Sequence, residues 1–526
     1  MKSTTHRTIE RISVFQYQLI LEGIAVGLLT GLLVALFRLV LEKAEELRGT
    51  LVSMAHQSIL LVIMALFILV FLVMAVAFCY RKEPLSSGSG IPQVKGELKG
   101  QVEADWFQVI IAKFLGASLA IGGGLSLGRE GPSIQLGAMV GKGFSRVTKR
   151  LRTEEKMLMT CGAGAGLSAA FGAPLAGVVF SLEEMHKNFS TDILLSTMAA
   201  TVTADFVSSY IFGLKPVFNI ALEANLPLSR YWMVILLGLI LGFFGVFYNF
   251  TISKVQDLYA RIKNKTVRIA IPFVAVIGLA IWFPSALGSG NWLVDEVSKG
   301  DMVIGGIIAL LVIKFIFSMV SFGSGAPGGI FLPLLVIGAV TGCLFAKVMG
   351  TWIGFEEMYI ANFVILGMTG YFAAIVRSPI TGVILITEMT GSFDSLLPLA
   401  VTALTAYIVA DVMRGQPIYD QLLERMLADK ESKREKKVQV APRSRRGNKI
   451  VIESDIYYGS PMDGAVIADM DLPPGALVVS ILRDGKEIVP SGGTRLEGGD
   501  KLAILCNEAF ITIIEERLEK ICRTIV

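Results

Sequence analysis

A chain of 526 residues that is 53% hydrophobic and 17% charged, with a mean hydropathy of +0.64, has too few charges for a soluble globular protein, in which about a quarter of residues are charged. It reads as a polytopic membrane protein, and the net charge of +4 does not suggest a nucleic-acid partner. The five cysteines (Cys79, Cys161, Cys343, Cys506 and Cys522) form no CxxC pair and the three histidines show no ligand spacing, so buried free thiols are expected, with no metal and no cofactor. No nucleotide-binding loop and no nucleophile–base pair is present, so no enzyme is expected.

Residues 1–17 are polar, carry Lys2, Arg7 and Arg11, and lack a cleavable signal pattern; they read as a cytoplasmic N-terminal segment. Residues 18–413 read as the membrane domain. Nearly charge-free stretches recur from Gly23–Phe37 to Ala361–Val376. Several are shorter than the roughly 20 residues that a straight span needs. Short segments broken by Gly and Pro point to re-entrant helices and internal repeats.

One stretch, Gly122-Gly-Gly-Leu-Ser-Leu-Gly-Arg-Glu-Gly-Pro132, cannot be a helix interior, because its glycines and proline break one. It reads as a loop that opens a new helix, with Pro132 early in it. At membrane depth such backbone is tolerated only inside protein or beside a watery cavity. A helix start there presents unpaired N–H groups and the positive end of its dipole, a setting for an anion. Glu130 supplies an anion from the protein itself, unless Arg129 and Glu130 merely cap the helix.

A repeat appears when the apolar region is aligned with itself. Ala165 to Glu183 matches Gly370 to Glu388 without gaps: a small residue, a proline, a glycine three residues on, then apolar residues and a glutamate. A Gly/Pro loop precedes each segment, Gly128–Pro132 before the first and Gly323–Pro333 before the second. A third loop, Ser87-Gly-Ser-Gly-Ile-Pro92, follows an earlier span. Residues 414–448 are basic and read as a cytoplasmic linker with a helical start, which places both termini on the inside. Residues 449–526 read as a small soluble α+β domain. Its β-rich runs start at Lys449, Leu477, Glu487 and Lys501, with turns at Pro473-Pro-Gly, Arg483-Asp-Gly-Lys and Gly498-Gly-Asp and a closing helix over Glu508–Arg523.

The loops Gly88-Ser-Gly-Ile-Pro92, Gly128-Arg-Glu-Gly-Pro132 and Gly325-Ala-Pro-Gly-Gly-Ile-Phe-Leu-Pro333, in this order, resemble those of the CLC family of chloride channels and proton-coupled chloride transporters over roughly residues 18–420. The resemblance implies an all-α membrane domain of two inverted repeats and a homodimer with one path per subunit. It also implies a central anion site lined by Ser89, the backbone N–H groups of Ile330 and Phe331, and the Tyr419 hydroxyl. Weak donors suit an ion that must also be released. Taken singly, Ser89 also suits a helix cap, and Tyr419 an interfacial aromatic.

Glu130 matches the gating glutamate of the family. Ionised, it occupies the anion path; protonated, it leaves with its proton. Glu184 matches the residue that relays protons from the cytoplasm in the transporters, the other reading being a solvated helix-end acid. Lys113 is implied to raise the potential in the path, Arg129 to support it, and snorkelling is the alternative for Lys113. Lys314 holds a similar but weaker place. His186 and Lys187 depart from the family pattern after Glu184. Ser89 implies chloride over nitrate, and Gly-Arg-Glu-Gly-Pro argues against fluoride. The expected function is proton/chloride exchange across a prokaryotic inner membrane, with a passive chloride channel on the same fold as the alternative; a cation carrier is disfavoured, since the loops point donors at the site.

The runs Gly459-Ser-Pro-Met-Asp-Gly464, Leu472 to Ile481 and Glu497-Gly-Gly-Asp-Lys-Leu502 resemble the TrkA-C module of potassium-conductance regulators. Such modules bind small effectors or dimerise, and a regulatory role and a passive dimer clamp stand side by side.

Overall fold

The computed structural model describes residues 4–55, 59–187, 190–218, 220–438, 449–470, 472, 476–483, 486–507 and 511–523. The expected turns at Pro473-Pro-Gly and Asp484-Gly, linker residues 439–448 and the helix start at Glu508 lie outside them. The chain divides into two compact units, Met1–Asp429 and Lys430–Val526.

The first unit is helical and built twice. Its first half comprises α1 (Thr4–Ala55), α2 (Ile59–Lys82), α3 (Ile91–Leu98), α4 (Trp106–Gly122), α5 (Glu130–Val147), α6 (Arg152–Phe171), α7 (Pro174–Phe180) and α8 (Thr191–Phe212). The second half repeats these in order as α9 (Tyr231–Ala260), α10 (Lys265–Trp282), α11 (Asn291–Ser298), α12 (Ile304–Gly323), α13 (Phe331–Ile353), α14 (Ile360–Val376), α15 (Pro379–Thr390) and α16 (Leu396–Val412). Even the 3-10 turn Pro84–Ser86 before α3 has its counterpart in Pro284–Ala286 before α11. The aligned segments of the sequence repeat are thus α6–α7 and α14–α15. Seven of the described helices are long and apolar enough to cross a membrane; α4 and α15, with 17 and 12 residues, are shorter, as the broken charge-free stretches required.

The repeats share their packing devices. In the first, α5 crosses α6 at Gly137 and Gly162, where a Cβ on either would overlap the carbonyl oxygen of the other; in the second, α13 crosses α14 at Gly338 and Gly367. The repeats also exchange caps. The N–H groups of Leu175 and Ala176, at the start of α7, donate to the Glu388 carboxylate at 3.0 and 2.8 Å. Reciprocally, the N–H groups of Ile380 and Thr381, at the start of α15, donate to Glu183 at 3.3 and 2.8 Å. A helix start leaves such donors without intrahelical acceptors. Each half therefore satisfies the other at the aligned glutamate, and Glu183 is engaged structurally.

After α16 comes α17 (Ile418–Val438), whose first turns bury Ile418, Tyr419 and Leu423 in the membrane unit. The second unit holds β1 (Lys449–Asp455), β2 (Leu477–Arg483), β3 (Lys486–Ile488) and β4 (Lys501–Asn507) in an antiparallel sheet of order β1-β4-β2-β3. Helix α18 (Ile511–Leu518) and a π turn over Glu519–Arg523 follow. Ile481, Leu496, Leu502, Ile504 and Ile514 form its core. All five cysteines are buried, and Cys79, Cys161, Cys343 and Cys506 are free thiols. Asp463 closes the Gly459–Gly464 turn onto the Gly498-Gly turn, accepting from the N–H groups of Gly459 and Gly498 at 2.9 Å each. Those two donors, Gly459 first, hold its carboxyl below the ordinary value of 3.8.

Two outcomes follow from these contacts. Glu388→Ala orphans two N–H donors at a helix start, so thermal melting in detergent should show a loss of about 1–3 kcal/mol relative to wild type. Because the folded Asp463 carboxyl titrates below its unfolded value, its stabilisation is complete above about pH 4 and is lost as pH falls through the folded value. Hydrogen exchange at Gly459 and Gly498, corrected for intrinsic rate, should therefore accelerate below about pH 4 in wild type, and Asp463→Asn should remove that pH dependence.

Candidate functional site

The loops that interrupt the apolar region meet inside the membrane unit. Gly128 and Gly329 form an antiparallel bridge, with the Gly128 N–H donating to Gly329 O at 2.6 Å and the Gly329 N–H to Gly128 O at 2.8 Å. The Gly328 N–H donates to Gly88 O at 2.9 Å, and Gly88 returns a longer bond to Gly325 O at 3.4 Å. Backbone at this depth has no water to bond, so the loops satisfy one another. Gly88 and Gly90 take positive φ values of 60° and 98°, conformations that glycine reaches without strain.

This knot brings together the starts of α3, α5 and α13. Gly90 is the N-cap of α3. Ser89 is therefore not the cap; its hydroxyl is buried and has no hydrogen-bond partner among the described residues. A Cβ on Gly131 would overlap the Ser89 Oγ, so the second turn-forming loop presses directly on that hydroxyl. Ile330 caps α13 and Phe331 begins it, which leaves their N–H groups among those without intrahelical acceptors. The Phe331 ring is held by Phe171, Phe180 and Phe372, with centroids 5.5, 6.4 and 4.9 Å away.

Glu130 opens α5 and is fully buried, and neither carboxylate oxygen has a partner among the described residues. No ion pair joins it to Arg129, and Arg129 makes no side-chain cap, so the capping alternative does not describe this pair. The carboxylate lies against Gly128, where Oε2 and the Leu332 N–H flank the space a Cβ would fill. Tyr419 is also fully buried, and not interfacial; its hydroxyl lacks a partner among the described residues and lies within electrostatic reach of both Glu130 and Glu184. The six residues named from sequence for the anion path and its glutamates thus fall on the starts of four helices and one π turn of the same unit.

Lys113 does not snorkel. Fully buried, its ammonium donates to Ser86 O at 2.9 Å and Gly88 O at 2.6 Å, which braces the Ser89 loop from behind. Lys314 does the same in the second repeat, donating to Ala286 O at 3.1 Å and Gly288 O at 2.7 Å. The two are structural equals.

Glu184 lies in a π turn over Ser181–His186 that extends α7. It is 3% exposed, not a solvated helix-end acid. Its Oε1 accepts from Lys95 Nζ at 2.7 Å and its Oε2 from Ser378 Oγ at 3.2 Å. Lys95 also contacts Asp420 Oδ1 at 2.5 Å, and Lys187 reaches Asp420 Oδ2 at 3.1 Å. His186 Nδ1 lies 3.4 Å from Thr160 Oγ1. Sequence reasoning missed Lys95, Ser378 and Asp420. A lysine inside the apolar run Ile91-Pro-Gln-Val-Lys95 and an acid beside Tyr419 were the available signals, but nothing in the sequence pairs residues so far apart.

Residues 71–411 match the family model described as voltage gated chloride channel, and residues 451–512 match the TrkA-C domain. The chain is 33% identical over 437 residues to the H(+)/Cl(-) exchange transporter ClcA of Klebsiella pneumoniae (strain 342), covering 81% of this chain and 92% of that one. It is 34% identical over 424 residues to ClcA of Cronobacter sakazakii, covering 77% and 90%. A crystal structure of a slow cyanobacterial Cl-/H+ antiporter superposes with a TM-score of 0.73 at 32% identity, over 78% of this chain and 98% of that one. A CLC-type fluoride/proton antiporter, at 22% identity and a TM-score of 0.65, shares the fold. The chain is an integral, multi-pass membrane protein that belongs to the voltage gated chloride channel (CLC) family, and it carries a TrkA-C domain.

Proposed function

We propose that this protein is a proton/chloride exchange transporter, in which Glu130 is the gate that both ions use. One observation carries the reading: a fully buried carboxylate with no side-chain partner among the described residues stands at a helix start, in the same unit as a second helix start and the buried hydroxyls of Ser89 and Tyr419. Ionised, Glu130 competes with chloride for the donors of Ser89, Ile330, Phe331 and Tyr419. Protonated, it has no charge to hold it there, and chloride takes its place. Mutual exclusion of one carboxylate and one anion at shared donors couples the two fluxes. Lys113 holds the Ser89 loop in place and Arg129 supplies positive potential.

Glu184 feeds protons to this site from the cytoplasmic side. Its burial beside Lys95 and its position across Tyr419 from Glu130 support a relay over a solvated acid, and they favour exchange over a passive channel. Both termini lie in the cytoplasm of a prokaryotic cell, and the protein works as a homodimer with a path in each subunit. The Ser89 hydroxyl favours chloride over nitrate. The TrkA-C domain either binds a small effector or clamps the dimer. The family is one of transporters and channels, and no enzymatic step is assigned.

Purified protein in liposomes tests the reading. A chloride gradient should drive protons uphill in wild type. Glu130→Ala and Glu184→Gln should both lose proton movement to background while still passing chloride. Chloride flux in wild type without protons would establish the passive channel instead. Separately, Tyr419→Phe removes one donor to the anion; about 1.5 kcal/mol of lost interaction corresponds to roughly tenfold weaker chloride binding by isothermal titration calorimetry.

A further inference from the structure

Glu184 is not held by a simple partner. Lys95 Nζ, on α3, stands between two carboxylates, 2.7 Å from Glu184 Oε1 and 2.5 Å from Asp420 Oδ1. The lysine side chain is fully buried, and the side chains of Glu184 and Asp420 are 4% and 22% exposed. On its outer side Asp420 meets Lys187, which is half exposed. Lys187 also acts on Glu184 at longer range, and the remaining groups around Glu184 add no competing charge at contact distance. From α15 comes the neutral Ser378, from α17 Tyr419, and from the π turn itself Glu183, engaged at the start of α15. His186 turns to Thr160 and lies near Lys156 of α6. Arg377 is occupied by the carbonyls of Tyr407 and Gly415 and by Asp411.

A buried acid that must gain and lose a proton has an electrostatic difficulty. If its cation had no second partner, each protonation would leave a buried ammonium unpaired, which is strongly unfavourable. If it had no cation at all, burial would keep the acid neutral. A shared ammonium between two carboxylates avoids both. When Glu184 takes a proton, Lys95 stays paired with Asp420; when Glu184 releases it, the ammonium is already in place to receive the charge.

We propose that Lys95, backed by Asp420, is a positioning residue for proton relay: it lends one buried ammonium to Glu184 and Asp420 in turn, so that Glu184 cycles between its charged and neutral forms without stranding a buried charge. The proposal rests on the exchange reading above and names the residues that make its inner relay reversible. Lys95 and Asp420 do not touch the anion donors, although Asp420 follows Tyr419 directly in sequence. A positively charged residue on α3, an acid on α17 and the relay acid on the π turn are brought together only by the tertiary fold.

The test measures proton and chloride flux of full-length protein in liposomes across pH 4–8 for wild type, Lys95→Met, Lys95→Arg and Asp420→Asn. Removing the ammonium favours neutral Glu184, so Lys95→Met should move the pH of half-maximal proton flux upward by about 1–3 units. Removing the second carboxylate favours charged Glu184, so Asp420→Asn should move it downward. Chloride flux should persist in both, and Lys95→Arg should restore the wild-type profile. Shifts of opposite sign are the signature, since a purely structural role lowers both fluxes without moving the profile. Shifts of the same sign, or none, overturn the proposal. Should Lys95→Met not yield monodisperse protein, Asp420→Asn decides by itself: a downward shift supports the proposal and an unmoved profile overturns it. Wild type that moves chloride without protons would defeat the exchange reading itself, an outcome visible before any variant is compared.

Discussion

The starts of helices α3, α5 and α13 are buried where water is scarce, and most of the molecule follows from that constraint. A broken helix leaves N–H groups and the positive end of its dipole exposed to whatever faces it. In a bilayer such ends are tolerated only inside protein. Here the loops between them bond to each other, Gly128 to Gly329 and Gly88 to Gly328, so the backbone on the loop side is satisfied and the donors on the other side are left free. Ile330 and Phe331 supply such donors, and the Ser89 and Tyr419 hydroxyls are buried in the same unit. The proposed anion site is thus a consequence of solving the backbone problem only on one side.

The two-fold build explains how buried charge is tolerated around it. Lys113 and Lys314 each collect two loop carbonyls in equivalent places. Glu183 and Glu388 each cap a helix of the other repeat. These four charges are engaged with backbone dipoles and are static. Glu130 and Glu184 differ from them: the first has no side-chain partner among the described residues, and the second shares its partner with a third residue. A charge that is under-satisfied or shared is the kind that changes state easily, whereas a fully engaged one is held. The contrast separates the glutamates of the proposed ion path from the helix-capping ones, within a single turn at Glu183 and Glu184.

Much of this was legible in the residues. The Gly/Pro loops, the gap-free match of Ala165–Glu183 with Gly370–Glu388, the four strands after Lys449 and the place of Glu130 all follow from local chemistry. Turn residues break helices wherever they stand, and alternating apolar residues make strands wherever they stand. The equal standing of Lys113 and Lys314 was also available, since both precede a loop at the same repeat position, but a lone lysine in an apolar run reads as unusual without showing what it bonds.

What the sequence by itself determined is the membrane class, the internal repeat and the family, because these depend on composition, spacing and short motifs. The tertiary structure decided which residues are satisfied and which are free. It took Ser89 off the cap of α3, buried Tyr419, and separated Glu183 from its neighbour Glu184. It also drew Lys95, Asp420 and Ser378 onto Glu184 from distant parts of the chain. The reason is physical: a side chain's chemistry is carried by its own residue, but its desolvation and its partners belong to whatever the fold packs against it.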